Sequence, residues 1–183
     1  MTVTIPDDTE AVVYDLDGTL VRLTVDWDAA AADVADTLDG RGVDTDGMGL
    51  WRMLERADKL GHRDAVEEAI AAHERKGARR SERLAFADEM VTDLPVGVCS
   101  LNCEEACRIA LDTHALGEHV ACVVGRDTVA TFKPEPESLL AAIERLGASP
   151  ERTLFVGDSE RDAETAERAG TQFAYVGDGP TTY

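Results

Sequence analysis

Short, mainly apolar runs alternate along this chain with helical patterns, and this alternation constrains the fold more than any other feature of the sequence. The five runs occupy residues 11–15, 96–100, 120–124, 153–158 and 172–176. Because the runs are continuously apolar rather than alternating, each predicted strand has both faces covered. Helical stretches near 103–115, 135–147 and 160–169 separate the later strands. The sequence therefore predicts an α/β fold, in which a parallel sheet is flanked by helices.

Residues 22–80 interrupt this alternation of strands and helices, because they contain no strand-like run. Their helical patterns cover residues 26–39, 48–60 and 63–76. We interpret 22–80 as a small all-helical cap inserted after the first strand. The α/β core then comprises residues 1–21 and 81–183, and a further helix near 81–93 leads back into the sheet.

The composition is that of an ordinary soluble globular protein, but its charge is lopsided. Of 183 residues, 37 are acidic and 18 are lysine or arginine, which gives a formal net charge of -19. Such an excess of negative charge repels nucleic acids and anionic lipid surfaces, so neither is expected as a partner. An acidic surface with few lysines resembles proteins of salt-accumulating organisms and predicts a stability that rises with salt. An ordinary acidic cytosolic protein is the alternative.

The sequence shows no targeting or membrane segment. No run of about 18 apolar residues is present, and the N-terminus lacks a basic region followed by an apolar one. We therefore expect a cytoplasmic protein without a membrane span. Its cysteines should be reduced and should pack as small hydrophobic residues. These are Cys99, Cys103, Cys107 and Cys122.

Polar side chains stand at the carboxyl ends of three predicted strands. Asp15 and Asp17 end the first, Ser100 ends the second and Asp158 ends the fourth. In an open parallel sheet, ligands bind at this edge. Unpaired buried carboxylates are too costly to serve a core. The sequence therefore predicts that these side chains meet in a functional site.

The segment DLDGTL at residues 15–20 carries the most specific signal. Its two carboxylates are two residues apart and point toward the same side if the strand continues. Gly18 permits a sharp turn, and Thr19 can hydrogen-bond the turn and fix it. An acidic turn that only caps a strand is the structural alternative.

DLDGTL resembles the first motif of the haloacid dehalogenase (HAD) superfamily, and three later segments match that family's motifs in order. Ser100 matches the motif that holds a phosphoryl group, Lys133 matches the lysine before a helix, and GDSERD at 157–162 matches the acidic motif. The resemblance covers the whole chain. It implies a Rossmann-like core, with the 22–80 insertion where the phosphoglycolate-phosphatase-like branch has a small helical cap.

One position departs from the family pattern. The family usually has Asn directly after the Ser or Thr of the second motif, whereas here Leu101 intervenes before Asn102. A contact between Asn102 and substrate is therefore not assigned.

The resemblance implies a magnesium-dependent phosphatase that acts on a small phosphate monoester. Asp15 would be the nucleophile that forms an aspartyl-phosphate, and Asp17 the general acid and base. The carboxylates of Asp15 and Asp158, with the backbone carbonyl of Asp17, would bind Mg²⁺.

Further residues are assigned by the same resemblance. Lys133 would supply a fixed positive charge, and Ser100 would donate a hydrogen bond to the phosphoryl group. Gly18 and Thr19 are expected to bind substrate together with Ser100. Asp162 would hold Lys133 or a water at the metal in place. A surface lysine, a plain strand end and a first-turn helix carboxylate are the structural alternatives for Lys133, Ser100 and Asp162.

Other reactions of the superfamily are distinguished by single residues. The dehalogenase branch lacks an acid at the position of Asp17, because halide needs no proton on leaving. The phosphonate-cleaving branch uses a cap lysine, and Lys59 and Lys76 resemble solvated helix residues instead. A sugar-phosphate mutase and a non-catalytic binding or regulatory protein with the same fold remain open. Cap arginines could clamp a substrate carboxylate: Arg41, Arg52, Arg56, Arg63, Arg75, Arg79 and Arg80.

Overall fold

The computed structural model describes residues 3–91 and 93–177, and a five-stranded parallel sheet forms its centre. The strands are β1 (Ala11–Tyr14), β2 (Val21–Arg22), β3 (Glu82–Arg83), β4 (Val96–Cys99), β5 (Cys122–Val124), β6 (Thr153–Gly157) and β7 (Gln172–Tyr175). The sheet order is β5-β4-β1-β6-β7, and each neighbouring pair is parallel. The α/β fold class predicted from the sequence is confirmed. Its central strand, β1, has β4 and β6 as neighbours.

Six α-helices accompany the strands in residues 3–91 and 93–177. They are α1 (Trp27–Asp39), α2 (Leu50–Lys59), α3 (Arg63–Ala78), α4 (Glu104–Thr113), α5 (Glu137–Leu146) and α6 (Glu160–Ala169). Gly147 and Gly170 end α5 and α6 in the left-handed conformation, as glycines after a helix commonly do. Within the described residues, no helix combines the length and apolar character that a membrane crossing requires.

The sheet is covered on both faces, which explains its continuously apolar strands. Val13 and Phe155 pack on the side of α5 and α6, in a cluster that includes Leu139 and Ala166. The opposite face packs against α4 and the segment after β3. Four cysteines lie buried and free in these layers, as predicted.

The first three helices lie between β2 and β3, and we call α1, α2 and α3 the cap. They share an apolar cluster of their own, which includes Val34, Leu38, Leu54 and Ile70. β2 and β3 pair with each other in antiparallel fashion. The chain therefore leaves the central sheet for the cap and returns from it along a two-stranded ribbon.

The helix predicted near 81–93 is wrong. Residue 92 lies outside the described residues; in the rest of this segment, residues 82–83 form β3 and the helical part is a 3-10 helix at Ala85–Glu89. Phe86 and Met90 are buried in the core next to α4. The apolar spacing of this short segment fits either kind of helix, and pairing with β2 takes up its beginning.

Candidate active site

A turn directly after β1 begins the site. Gly18 has a φ of +91°, and its amide donates to the carbonyl of Val21 over 2.8 Å. The carbonyl of Leu16 accepts the amides of the next residues of the turn. Thr19 is fully buried, and its hydroxyl oxygen has no hydrogen-bond partner within the described part of the chain. The prediction that Thr19 fixes the turn by a hydrogen bond is therefore wrong, because backbone amides close it instead.

Lys133 lies at the centre of the site and is only 3% exposed. Its Nζ donates to Asp15 Oδ1 over 2.7 Å and to Asp162 Oδ1 over 2.6 Å. A third hydrogen bond reaches the carbonyl of Cys99, the last residue of β4, at 3.2 Å. The ammonium thus joins the end of β4 with side chains that follow β1 and β6, which excludes the alternative of a surface lysine.

The start of α6 holds Asp162 in position. Asp162 Oδ2 accepts from the Ser159 amide at 3.2 Å and from its hydroxyl at 2.6 Å. Ser159 Oγ in turn accepts from the Asp162 amide, which completes a capping box. A Cβ on Gly157 would come within 2.7 Å of the Asp162 side chain, so only glycine leaves room for it there. The capping box and Gly157 explain why Asp162 meets Lys133 rather than solvent.

Three buried carboxylates converge next to Lys133. Oxygen atoms of Asp15, Asp158 and Asp162 all lie within 4.8 Å of one another. Carboxylates held this close together attract a cation. Buried carboxylate oxygens of this kind fit Mg²⁺, which takes a few carboxylates together with substrate oxygens and water. The Asp17 carboxylate is engaged elsewhere, since its Oδ1 accepts from the Leu23 amide at 2.8 Å.

Burial and like charge shift the protonation equilibria of these groups. Burial raises the pKa of Asp15, with Lys133 opposing this and Asp162 adding to it. Burial also raises the pKa of Asp17 to about 6, although the hydrogen bond from Leu23 acts against it. For Lys133, burial acts to lower the pKa, but the charges of Asp15 and Asp162 outweigh it and the pKa lies above its usual value. The ammonium is therefore charged throughout the neutral range.

Ser100 and Asn102 face each other after β4. Ser100 Oγ donates to the side-chain oxygen Oδ1 of Asn102 over 3.1 Å and accepts from the backbone amide of Asn102 over 3.2 Å. Both side chains are buried, at 2% and 4% exposure. The additional residue, Leu101, therefore does not remove Asn102 from Ser100.

A cleft of about 1020 Å³ opens over this group of residues. Its walls include the predicted site residues Asp15, Asp17, Ser100, Lys133, Asp158 and Asp162. Among the described residues that line the cleft, neither Gly18 nor Thr19 is present. The structure thus brings six of the eight predicted side chains to one cleft, and the part of Gly18 and Thr19 in substrate binding stays a prediction.

The sequence interpretation missed much of the cleft wall, including two arginines and two tryptophans. Arg22, Trp27, Trp51 and Arg161 line the cleft, and the Arg161 guanidinium lies 5.8 Å from the ring centre of Trp51. None of the seven cap arginines lines the cleft within the described ranges. Their positions in the sequence could have indicated the two arginines, because Arg22 follows the DLDGTL turn and Arg161 lies inside GDSERD.

Comparisons with known proteins agree with this architecture. The model of the family described as haloacid dehalogenase-like hydrolase matches residues 12–176. A phosphoglycolate phosphatase of Aquifex aeolicus is 29% identical over 178 aligned residues, which cover 89% of this chain and 82% of that protein. A phosphoglycolate phosphatase of Escherichia coli is also 29% identical, over 90% of this chain and 79% of its own length. The crystal structure of a HAD-superfamily hydrolase of subfamily IA from Geobacter sulfurreducens aligns with a TM-score of 0.58 at 26% identity, over 90% and 88% of the two chains.

Proposed function

The chain belongs to the haloacid dehalogenase-like hydrolase family, and we propose that it hydrolyses a small phosphate monoester through an aspartyl-phosphate on Asp15. Relatives that are phosphoglycolate phosphatases, at 29% identity, support a phosphatase. One observation carries the proposal: the buried Lys133 ammonium bonds both Asp15 and Asp162 at the floor of the cleft. A binding protein has no need of a charged group held so closely to a carboxylate that can attack phosphorus.

Attack by Asp15 is the first step of the proposed reaction. Lys133 holds Oδ1 of Asp15, so the other carboxylate oxygen forms the new bond to phosphorus while the ester bond to the leaving oxygen breaks. A dianionic ester repels a carboxylate, and the fixed Lys133 ammonium offsets this repulsion. Ser100 donates its hydroxyl proton to an oxygen of the phosphoryl group. Asp162 keeps Lys133 in place, because it binds the same ammonium.

Asp17 serves as general acid and then as general base in this proposal. Its carboxyl group lines the cleft and is anchored there by the Leu23 amide. It gives a proton to the departing alkoxide, and afterwards takes one from the water that hydrolyses the phosphorylated Asp15. Without this proton transfer an alkoxide is a poor leaving group, which is why phosphoryl transfer from an alkyl ester needs Asp17 and dehalogenation does not.

Magnesium is the metal that we propose for the acidic cluster. The carboxylates of Asp15 and Asp158 would hold it, together with the backbone carbonyl of Asp17. When bound, Mg²⁺ supplies positive charge against the phosphate ester and the developing charge of phosphoryl transfer. The close approach of the three buried carboxylates supports this assignment.

The cap provides the surface that meets the leaving group. We propose that residues 22–80 form it, with Trp27 and Trp51 on the cap side of the cleft and Arg161 on the side of the sheet. Closure over the site would exclude water from the phosphorylated Asp15. The guanidinium groups of Arg22 and Arg161 would pair with a negatively charged group of the substrate, and Glu160 and Glu164 also line the cleft.

Metal dependence tests the proposed function directly. The folded protein is incubated with p-nitrophenyl phosphate, at low and high salt, with Mg²⁺ or with EDTA. We expect hydrolysis with Mg²⁺, its loss in EDTA and its recovery when Mg²⁺ is restored. Activity that is indifferent to EDTA would contradict the metal, and folded protein without activity at any salt would contradict the phosphatase. A panel of small phosphorylated acids and sugars, phosphoglycolate included, then identifies the preferred substrate.

A further inference from the structure

Outside the catalytic group, a fully buried ion pair joins the cap to the sheet. Glu74 of α3 and Arg126, which follows β5, are both 0% exposed. Arg126 donates to Glu74 Oε1 over 2.5 Å and to Oε2 over 3.2 Å. Its Nε donates to Glu67, also of α3, over 2.7 Å. Burying such charges is costly, and a pair of this kind is weak evidence for a stabilising role alone.

The same two residues hold the loop that carries Ser100. The Cys103 amide donates to Glu74 Oε2 over 2.9 Å, and Asn102 Nδ2 donates to Glu74 Oε1 over 3.4 Å. Arg126 donates from its guanidinium to the Leu101 carbonyl over 2.8 Å and from its amide to the Asn102 carbonyl over 3.0 Å. Three consecutive residues after Ser100 are thus fixed by groups that lie outside their own segment.

A chain of hydrogen bonds leads from the cap to the Ser100 hydroxyl. Glu74 accepts from Asn102 Nδ2, which fixes the orientation of the amide, and Asn102 Oδ1 accepts from Ser100 Oγ. We propose that Glu74 is a positioning residue that fixes Asn102, and with it the position of Ser100 Oγ, and so couples the seating of α3 to phosphoryl transfer. When an ester binds, the Ser100 hydroxyl hydrogen turns from Asn102 Oδ1 to an oxygen of the phosphoryl group. This proposal rests on the proposed function, in which Ser100 donates to the phosphoryl group.

The chemistry of the contacts requires a carboxylate at position 74. Every neighbour of Glu74 in this network is a donor: two guanidinium nitrogens, the Cys103 amide and the Asn102 amide group. A glutamine has nearly the same shape but presents one NH₂ group where an acceptor is needed. Glu74→Gln would therefore lose hydrogen bonds and the fixed orientation of Asn102, while the volume of the side chain stays nearly the same.

Glu74→Gln is the first variant, and Glu67→Gln is its matched control. Glu67 lies on the same helix and binds the same guanidinium, but it does not contact residues 100–103 in the described structure. With p-nitrophenyl phosphate we expect Glu74→Gln to lower kcat about tenfold and to change KM little, since the Ser100 hydrogen bond acts mainly in the transition state. Glu67→Gln should keep kcat within about twofold. Equal losses of kcat in the two variants would overturn the proposal.

A double-mutant cycle with Ser100→Ala tests whether Glu74 acts through Ser100. We expect the effects on kcat to be non-additive, so that Glu74→Gln costs no more than about twofold in the Ser100→Ala background. Losses that multiply would show that Glu74 only maintains the fold. Asn102→Ala is a second variant for the case that the Glu74→Gln protein does not fold. It removes the side chain that links Glu74 to Ser100 and leaves the ion pair of Glu74 with Arg126 in place. It should show the same selective loss of kcat, and a wild-type kcat would contradict the relay.

The outcomes also separate this inference from the proposed function. If the wild-type protein hydrolyses no phosphate ester, the proposed function fails whatever the variants do. If the wild-type protein is active and Glu74→Gln or Asn102→Ala leaves its kcat unchanged, the positioning role fails and the phosphatase stands.

Discussion

At the scale of single residues, Lys133 organises the site because it is bonded on three sides. Its ammonium binds Asp15, Asp162 and the carbonyl of Cys99, so it cannot turn away without losing all of them. This preorganisation means that charge is already in place when a phosphate ester enters, and no energy is needed to orient it. The substitutions that test the site are those that keep this arrangement and change one chemical property.

Asp15→Asn changes only the proposed nucleophile. The amide is close in shape to the carboxylate, and its oxygen can still accept from Lys133, but it is a very weak nucleophile. We expect kcat for p-nitrophenyl phosphate to fall by at least about a thousandfold. The midpoint of thermal unfolding should change little by comparison. An activity above a trace in the purified variant would rule out Asp15 as the attacking group.

Asp17→Asn removes the proposed proton donor and leaves the proposed attack by Asp15 possible. We expect turnover to slow by about 10² to 10⁴-fold, the usual contribution of a general acid or base. Because hydrolysis of the intermediate also needs a base, phosphorylated protein should accumulate and be detectable by intact-protein mass spectrometry. Asp28→Asn, which changes an exposed acid of α1, serves as the control. A rate near that of the wild type would remove the acid–base role of Asp17.

At the scale of elements, the contact between α3 and the ribbon to the cap is unusually close. Gly77 of α3 has no room for a side chain: an added Cβ would lie 2.6 Å from Val25 Cγ2 and 2.9 Å from the Thr24 carbonyl oxygen. The Thr24 amide also donates to the Gly77 carbonyl over 3.4 Å. Since backbone atoms cannot move aside easily, any side chain at 77 must shift α3.

Gly77→Ala should therefore destabilise the protein although alanine favours helices. We expect a loss of about 1–3 kcal/mol in the free energy of unfolding, as is typical of overpacking. Gly40→Ala is the control, because Gly40 has a right-handed helical conformation and an added Cβ would meet only ordinary contacts. Urea unfolding of both variants measures the difference. Equal stability of the two variants would contradict the close approach at Gly77.

The elements of the central sheet could be predicted from the sequence because burial on both faces leaves a local signal. The predicted ends of β1, β4 and β6 agree with the structure within about one residue, and Lys133 and Ser100 reach the cleft from the motifs that indicated them. The ion pair of Glu74 with Arg126 could not be predicted. Its partners are 52 residues apart, and neither lies in a motif.

The cleft wall could be predicted only in part, because some of its residues are brought together from distant parts of the sequence. A motif identifies residues that the chemistry requires, whereas Trp51 and Arg161 meet because of how the cap sits on the sheet. The seven cap arginines could not be separated by sequence, since each has acidic neighbours along the chain. In the structure, for example, Arg75 binds Glu68 and Glu105, and Arg63 lies close to Glu67.

At the scale of the whole molecule, the dominant feature is a formal net charge of -19 on 183 residues. Ion pairs with arginine neutralise some of the acids, such as Glu164 and Glu135 around Arg168. With 37 acidic and 18 basic residues, most acids still repel one another. Salt screens this repulsion over distances of about 10 Å at 0.1 M.

The midpoint of thermal unfolding should therefore rise with ionic strength. We expect an increase of several degrees between about 0.05 M and about 1 M KCl, with the steepest part at low salt, where screening changes most. NaCl should act like KCl if screening is the cause. A midpoint that stays constant or falls over this range would contradict the interpretation of the surface as salt-adapted.

The burial of Lys133 also has a practical consequence for protein chemistry. The chain has three lysines, and the other two, Lys59 and Lys76, are exposed on α2 and α3. Among the lysine side chains, an amine-reactive dye or biotin reagent will therefore attach to Lys59 and Lys76 and leave the buried Lys133 ammonium untouched. Fluorophores can thus be placed on the cap without any engineering of the sequence, and they would report the proposed closure of the cap in the native protein.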